Sequence, residues 1–181
     1  MKGKVNEMRK AIQFISILLI VSMLALPVSA EVRPSVEQKG APTVVEQGVT
    51  TTSLADLDKA PAEVKQAVEE AAKVITEAKT LDQAVPTMAQ TLKEMKANVK
   101  VENLVVRDLF HVSLDKELAA GEEKTITFKA DGLKKTDFLL VMVYVDGEWV
   151  ILDQDKVEIT KDGQVKVTFD VVGPVAFVTE K

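Results

Sequence analysis

The segment from residue 138 to residue 152 constrains the fold most strongly. It holds two apolar runs on either side of Asp146-Gly147, a pair typical of a two-residue hairpin turn. Such a turn would place opposed residues of the two runs on the same face. One face would carry Phe138, Leu140, Met142, Tyr144, Trp149 and Ile151, and the other would carry Leu139, Val141, Val143, Val145, Val150 and Leu152. Both faces are apolar, so both must be covered. One face can enter the sandwich core, and the other needs either the two helices, which we favour, or a partner molecule.

Alternating apolar residues predict antiparallel strands throughout residues 100–181. The run from Leu104 to Leu114 alternates without a break, and shorter alternating runs follow as far as residue 179. No helical pattern lies between these runs, which argues against parallel βαβ units. The spacing is typical of a β-sandwich or a barrel.

Residues 54–99 are predicted to be helical. The first helix should span residues 61–79 and the second residues 86–97, because apolar side chains recur there every three or four positions. Placing both helices on one face of the hairpin would cover it. The predicted fold class is therefore α+β, with two short N-terminal helices packed on an antiparallel β-sandwich of six or seven strands. Residues 31–53 are predicted to be an extended segment or linker, with a possible short strand at 43–46 and a polar linker at 50–53.

Residues 1–30 have the pattern of a cleavable signal peptide. The first ten residues have a net positive charge, with four basic residues (Lys2, Lys4, Arg9 and Lys10) and one acidic residue, Glu7. An uncharged stretch then spans residues 11–28. The small residues of Val28-Ser29-Ala30 suit a signal peptidase. An uncleaved anchor helix is the alternative, although 18 residues are short for a membrane span. The protein is therefore expected to be secreted or associated with a bacterial cell envelope, without a membrane span once the signal peptide is cleaved.

Charge and cysteine content exclude several classes of partner and site. The chain has 23 basic and 28 acidic residues, and removing residues 1–30 leaves 19 and 27, a net charge of −8. Such an acidic protein is a poor ligand for nucleic acid or anionic lipid. The chain has no cysteine, so it must fold without disulfides and has no lipid-attachment residue.

No catalytic residue is predicted. His111 is the only histidine of the chain, and it alternates with Ser113 on one strand face. Asp108 falls on the opposite face, so a Ser-His-Asp triad fails on geometry. No sequence of the nucleophile-elbow type is present. A hydrolase that uses paired carboxylates remains an open alternative, since 27 acids allow many pairs.

No metal or cofactor site is predicted either. Zinc sites draw on several His or Cys side chains, and the pairs Asp153/Asp155 and Asp131/Asp137 lack the oxygen density that calcium needs.

Trp149, facing Tyr144, is the one aromatic pair that would suit a ligand platform. A carbohydrate-binding module that uses Trp149 and Tyr144 is therefore an alternative function. A role in the core is favoured for both residues, because aromatic cross-strand pairs stabilise hairpins.

Three motifs resemble a known family. They are Val106-Arg107-Asp108-Leu109-Phe110-His111-Val112-Ser113-Leu114, the Tyr144-Val145-Asp146-Gly147-Glu148-Trp149 core of the hairpin, and Gly173-Pro174-Val175-Ala176-Phe177-Val178. The chain is similar to uncharacterised small secreted or surface β-sandwich proteins of clostridia and other Firmicutes. His111 stands where that family is expected to have an aspartate. The resemblance implies a compartment and a fold, and it supplies no catalytic residue.

These observations predict an exported, non-catalytic module that binds an extracellular protein or a cell-envelope component.

Overall fold

Two antiparallel β-sheets form most of the structure. The computed structural model describes Pro34, Val36, Glu37 and residues 41–181. The strands of these residues are β1 (Thr43–Val44), β2 (Val49–Ser53), β3 (Leu104–Leu114), β4 (Lys124–Lys129), β5 (Leu139–Val145), β6 (Glu148–Ile151), β7 (Val157–Ile159), β8 (Gln164–Phe169) and β9 (Pro174–Glu180). The four-stranded sheet has the order β1-β4-β8-β7, and the five-stranded sheet has the order β2-β3-β9-β5-β6. The predicted α+β class is confirmed, with nine strands in the described part instead of six or seven.

The contacts divide the chain into residues Met1–Ala30 and Glu31–Lys181. The first unit, and with it the predicted signal peptide and cleavage site, lies outside the described residues. The second unit holds both sheets and the helices. Among the described residues, no helix is long and apolar enough to cross a membrane.

In the part of the chain that the structure describes, three α-helices precede β3. They are α1 (Ala62–Glu77), α2 (Leu81–Ala84) and α3 (Met88–Glu94), with 3-10 helices at Leu54–Lys59, Val101–Asn103 and Gln154–Lys156. The first predicted helix is confirmed, because α1 begins directly after Pro61. The second is shorter than predicted, since Lys96 has a positive φ of 52° that ends the helical path. The short helix α2 was not predicted.

The turn between β5 and β6 has the predicted geometry. Asp146 and Gly147 both have positive φ, 52° and 87°, as a type I′ turn requires. Tyr144 therefore pairs with Trp149, and Val143 pairs with Val150. The predicted division of the hairpin into two faces follows from this register.

Each face of the five-stranded sheet contributes to a different hydrophobic cluster. The first cluster joins this sheet to the helices through buried side chains, among them Val68, Ala71, Ile75, Met88, Val106, Leu140, Met142, Trp149 and Ala176. The second joins it to the four-stranded sheet through Phe110, Val141, Val143, Phe177, Ile126, Phe128, Val165 and Phe169. Phe128 of β4 lies 5.5 Å from Phe110 and 5.6 Å from Phe177, measured between ring centroids. Burial of these side chains is the main stabilising contribution.

The uninterrupted alternation predicted for β3 is wrong. The register with β9 shifts between Val106 and Asp108, which marks a β-bulge at Arg107. Val106 and Leu109 therefore both belong to the first, helix-side cluster although they are three residues apart, while Phe110 belongs to the second cluster. The bulge inserts one residue, so each residue of β3 after Arg107 lies on the opposite face from the one that simple alternation predicts.

The linker predicted at residues 50–53 is also wrong. These residues belong to β2, which pairs antiparallel with the second half of β3, from Val49 opposite Leu114 to Ser53 opposite Phe110. Threonine has a high β-propensity, and the polar Thr50-Thr51-Thr52 run suits a strand at the edge of a sheet. The predicted strand near residue 43 is confirmed as β1, with two residues.

Candidate functional site

Trp149 lies in the core and offers no open ring face to a ligand. Its side chain is 3% exposed, and its indole N–H donates a hydrogen bond to the carbonyl oxygen of Ala71 in α1 over 3.0 Å. The ring of Tyr144 lies 5.4 Å away, and Tyr144 is half-buried. The favoured core role thus agrees with the structure. The alternative of an exposed Trp149 platform does not, because the side chain is buried.

His111 and Ser113 lie on one face of β3, as predicted. His111 Nδ1 and Ser113 Oγ are 3.0 Å apart, and burial lowers the pKa of His111 below its ordinary value of 6.5. Asp108 lies on the other side of the strand, where Arg107 Nε is 3.2 Å from its Oδ2. These three side chains therefore do not form a triad.

The bulge in β3 holds a buried ion pair that the sequence analysis did not single out. Arg107 and Asp108 are 6% and 4% exposed, and Arg107 Nη2 also donates to the carbonyl oxygen of Asp131, just after β4. Burying two charges is costly unless they pair and form hydrogen bonds. The pair thus links the bulge to the loop that leads from the four-stranded sheet to β5.

A cleft opens where β3 begins and β9 ends. It has a volume of about 650 Å³ and lies between the segment around α2 and the 3-10 helix Val101–Asn103. We call it the charged cleft. Its apolar lining is Leu81, Leu104, Val101 and Pro34, of which the two leucines are buried. Its exposed charged residues are Lys79, Lys181, Asp82 and Glu102, two cations and two anions.

Hydrogen bonds hold the walls of the charged cleft in place. The backbone N–H of Lys181 donates to the carbonyl oxygen of Asn103 over 2.9 Å, and Lys181 Nζ donates to that of Glu102 over 3.1 Å. On the opposite wall, the backbone N–H of Lys79 donates to Gln83 Oε1 over 3.0 Å. The rim is thus built from backbone contacts in addition to exposed side chains.

A second cleft, of about 400 Å³, opens at the same end of the five-stranded sheet. Arg107, Asp137, Thr179 and Glu180 line it. Leu104 pairs with Glu180, so this cleft and the charged cleft flank the start of β3. Strand ends are where loops can vary without disturbing the sheets, and binding residues are frequent there.

Sequence reasoning missed both clefts, although one signal was present. Arg107-Asp108 is a charged pair flanked by apolar residues of β3, and a buried charge at such a position needs a partner. Nothing in the spacing of Lys79, Asp82, Glu102 and Lys181 predicts that they meet. In the described part of the chain, no group of three or more His, Cys, Asp or Glu side chains is arranged to hold a metal ion.

Comparison with known proteins assigns no family. No protein-family model matches the chain, and neither the curated proteins nor the solved structures gave a significant match. The resemblance to small secreted proteins of Firmicutes stays a prediction.

Proposed function

We propose that the chain is an exported, non-catalytic module that binds an extracellular protein or a cell-envelope component in the charged cleft. Export rests on the signal-peptide pattern of residues 1–30. The exported form would then be residues 31–181, the unit that contains both sheets.

The architecture that accompanies this proposal is a β-sandwich with its helices on one outer side. The shared aromatic cluster of Phe110, Phe128 and Phe177 supports face-to-face packing of the two sheets. The hydrogen bond from Trp149 to Ala71 and the helix-side cluster support α1 as the cover of the five-stranded sheet. Both faces of the β5–β6 hairpin would then be enclosed.

One observation carries the proposal: an apolar cleft floor with a balanced charged rim. Its volume of about 650 Å³ is within the range of small-ligand sites, which are mostly apolar with a few polar groups that orient the ligand. Two cations and two anions on the rim complement a ligand that carries both signs of charge. A peptide segment of a protein or of the cell wall has this combination of charge and apolar surface.

The non-catalytic part of the proposal is supported by the positions of the reactive side chains. Nucleophilic catalysis needs a nucleophile, a base and an orienting group within hydrogen-bond reach. His111 meets Ser113, but Asp108 faces the other way and pairs with Arg107. No feature of the described residues favours a carboxylate pair for hydrolysis, and burial of Trp149 removes the support for a carbohydrate platform.

A binding experiment with matched variants tests the site. The exported form would be incubated with cell-envelope fractions and with purified extracellular proteins, and bound protein would be measured as a function of concentration. Val101→Glu places a carboxylate on the cleft floor, so we expect affinity to fall about tenfold or more. Val171→Glu is the control, since Val171 is 39% exposed and lies before β9, at the other end of that strand.

Three results would contradict the proposal. They are the absence of saturable binding, an equal loss of affinity in both variants, and turnover of a glycan, peptide or ester by the purified protein at enzyme-like rates. Should Val101→Glu lower the thermal stability, Asp82→Lys on the exposed rim is used instead, with Glu148→Lys as the control of equal charge change.

Export is tested separately by N-terminal sequencing of the protein recovered outside the cell. We expect the first residue to be Glu31. Recovery in the membrane with residues 1–30 intact would show the anchor alternative instead.

A further inference from the structure

The chain around Val36 runs beside the first half of β3. Val36 forms a parallel bridge with Val106, and the backbone N–H of Glu37 donates to the carbonyl oxygen of Val106 over 2.8 Å. On its other side Val106 pairs with β9, whereas β2 pairs only with the second half of β3, from residue 110 to residue 114. The chain around Val36 therefore lies along the part of the β3 edge that β2 leaves uncovered.

This parallel pairing gives the segment a direction. Two residues before Val36, Pro34 should lie beside Leu104, because parallel strands advance together along the sheet. Pro34 and Leu104 both line the charged cleft, which agrees with that register. Residues before Pro34 that continue the same path would pass the start of β3 and follow the cleft wall formed by the 3-10 helix Val101–Asn103.

The sequence of this segment alternates between apolar and polar residues. Val36 packs against the helix-side cluster and Pro34 lines the charged cleft, and side chains two residues apart share a face in an extended chain. The alternation reaches back to residue 32, with Val32, Pro34 and Val36 against Arg33, Ser35 and Glu37. Val32 is thus the next residue on the cleft side, within about 7 Å of Pro34 along the chain.

We propose that in the exported form Val32 inserts into the charged cleft and covers its apolar floor, so that the chain occupies its own binding site. This inference rests on the proposed function, both for cleavage after Ala30 and for the role of the cleft. After cleavage, Glu31 alone precedes Val32. Glu31 then carries a carboxylate and an α-ammonium, which complement a rim that holds two cations and two anions.

Occupation of the cleft in cis would regulate its affinity. A ligand must displace Val32 before it reaches the cleft floor, so its apparent affinity is reduced by the fraction of molecules in which the cleft is open. The short tether from Val32 to the pairing at Val36 keeps the valine at an effective concentration of about millimolar. A contact with one buried valine side chain is therefore populated and still reversible.

Methyl NMR tests the position of Val32 without any ligand. The exported form is produced with Glu31 as its first residue, and the Val32 methyl groups should give NOEs to those of Leu81 and Val101, which line the cleft. Absence of these NOEs would overturn the inference.

Two matched variants test the same contact by thermal unfolding. Val32→Asp and Ser35→Asp place the same carboxylate on opposite faces of the segment. The melting temperature should fall by about 2–6 °C in Val32→Asp and by about 1 °C or less in Ser35→Asp. Equal melting temperatures of the two variants would also overturn the inference.

Binding to cell-envelope fractions and purified extracellular proteins then measures the competition. A cleft that is open in about a tenth to a fifth of wild-type molecules predicts that Val32→Asp binds about five- to tenfold more tightly, whereas Ser35→Asp binds like the wild type. Unchanged affinity in Val32→Asp contradicts the regulation of the cleft and leaves the proposed function standing. Absence of saturable binding in all three forms, with the NOEs present, contradicts the proposed function instead and supports the position of Val32.

Discussion

Replacing Trp149 should uncouple α1 from the five-stranded sheet. The side chain is 3% exposed, contacts Tyr144 and donates a hydrogen bond to Ala71. Trp149→Ala removes the buried ring, and such truncations lower the free energy of unfolding by about 3–5 kcal/mol. Trp149→Phe keeps an aromatic ring and removes the N–H donor, so its loss should be smaller, about 1–2 kcal/mol.

Urea unfolding of the exported form, followed by far-UV circular dichroism, measures these losses without depending on tryptophan fluorescence. Val150→Ala is the control, because the neighbouring side chain is 50% exposed and should change the free energy by about 0.5 kcal/mol or less. Hydrogen exchange of the α1 amides should accelerate in Trp149→Ala more than that of β4. Should Trp149→Ala cost no more than Val150→Ala, the anchoring role of Trp149 is refuted.

Three further predictions concern single positions. Asp108→Asn leaves the buried guanidinium of Arg107 without its carboxylate partner. We therefore expect the free energy of unfolding to fall by about 3 kcal/mol or more. A loss below about 1 kcal/mol in urea unfolding would contradict this. Gly163→Ala would place a Cβ 2.6 Å from a backbone oxygen at φ 72°, whereas Gly121, at φ 79°, has free space around it. The alanine variant at 163 should therefore melt at a lower temperature than that at 121, and equal melting temperatures would refute the steric argument. Burial lowers the pKa of His111, so the unfolded chain binds more protons, and stability should fall as pH drops through 6.5. His111→Gln should flatten that part of the stability profile, and an unchanged slope would assign it to another group.

Much of the fold could be predicted because it depends on local patterns. The helix α1 follows from its apolar spacing and from Pro61, and the β5–β6 hairpin follows from Asp146-Gly147. The requirement that both hairpin faces be covered came from the Asp146-Gly147 turn and the apolar residues that it places on each face, and the two hydrophobic clusters agree with it.

Features that depend on non-local contacts could not be predicted. The bulge at Arg107 is determined by how β3 meets β9 and by the ion pair with Asp108, and neither is visible in a single-strand pattern. The strand β2 is polar on both faces, so it lacks the alternation that identifies a half-buried strand.

The charged cleft lay beyond sequence reasoning for a related reason. Its rim joins Lys79 and Asp82 to Glu102 and Lys181, which come from separate parts of the chain. Only the folded path brings them together. The two candidate ligand residues chosen from the sequence, Trp149 and Tyr144, were chosen for their rings, and the hydrogen bond from Trp149 to Ala71 of α1 could not be read from the hairpin pattern.

Acrylamide quenching of Trp149 fluorescence measures whether the helices cover the apolar hairpin. Trp149 is the only tryptophan of the chain, so the signal reports this position alone. We expect the folded exported form to resist quenching and urea unfolding to abolish the resistance. Quenching of the folded protein as efficient as that of the unfolded chain would show an open hairpin face and contradict the proposed covering of the hairpin by the helices.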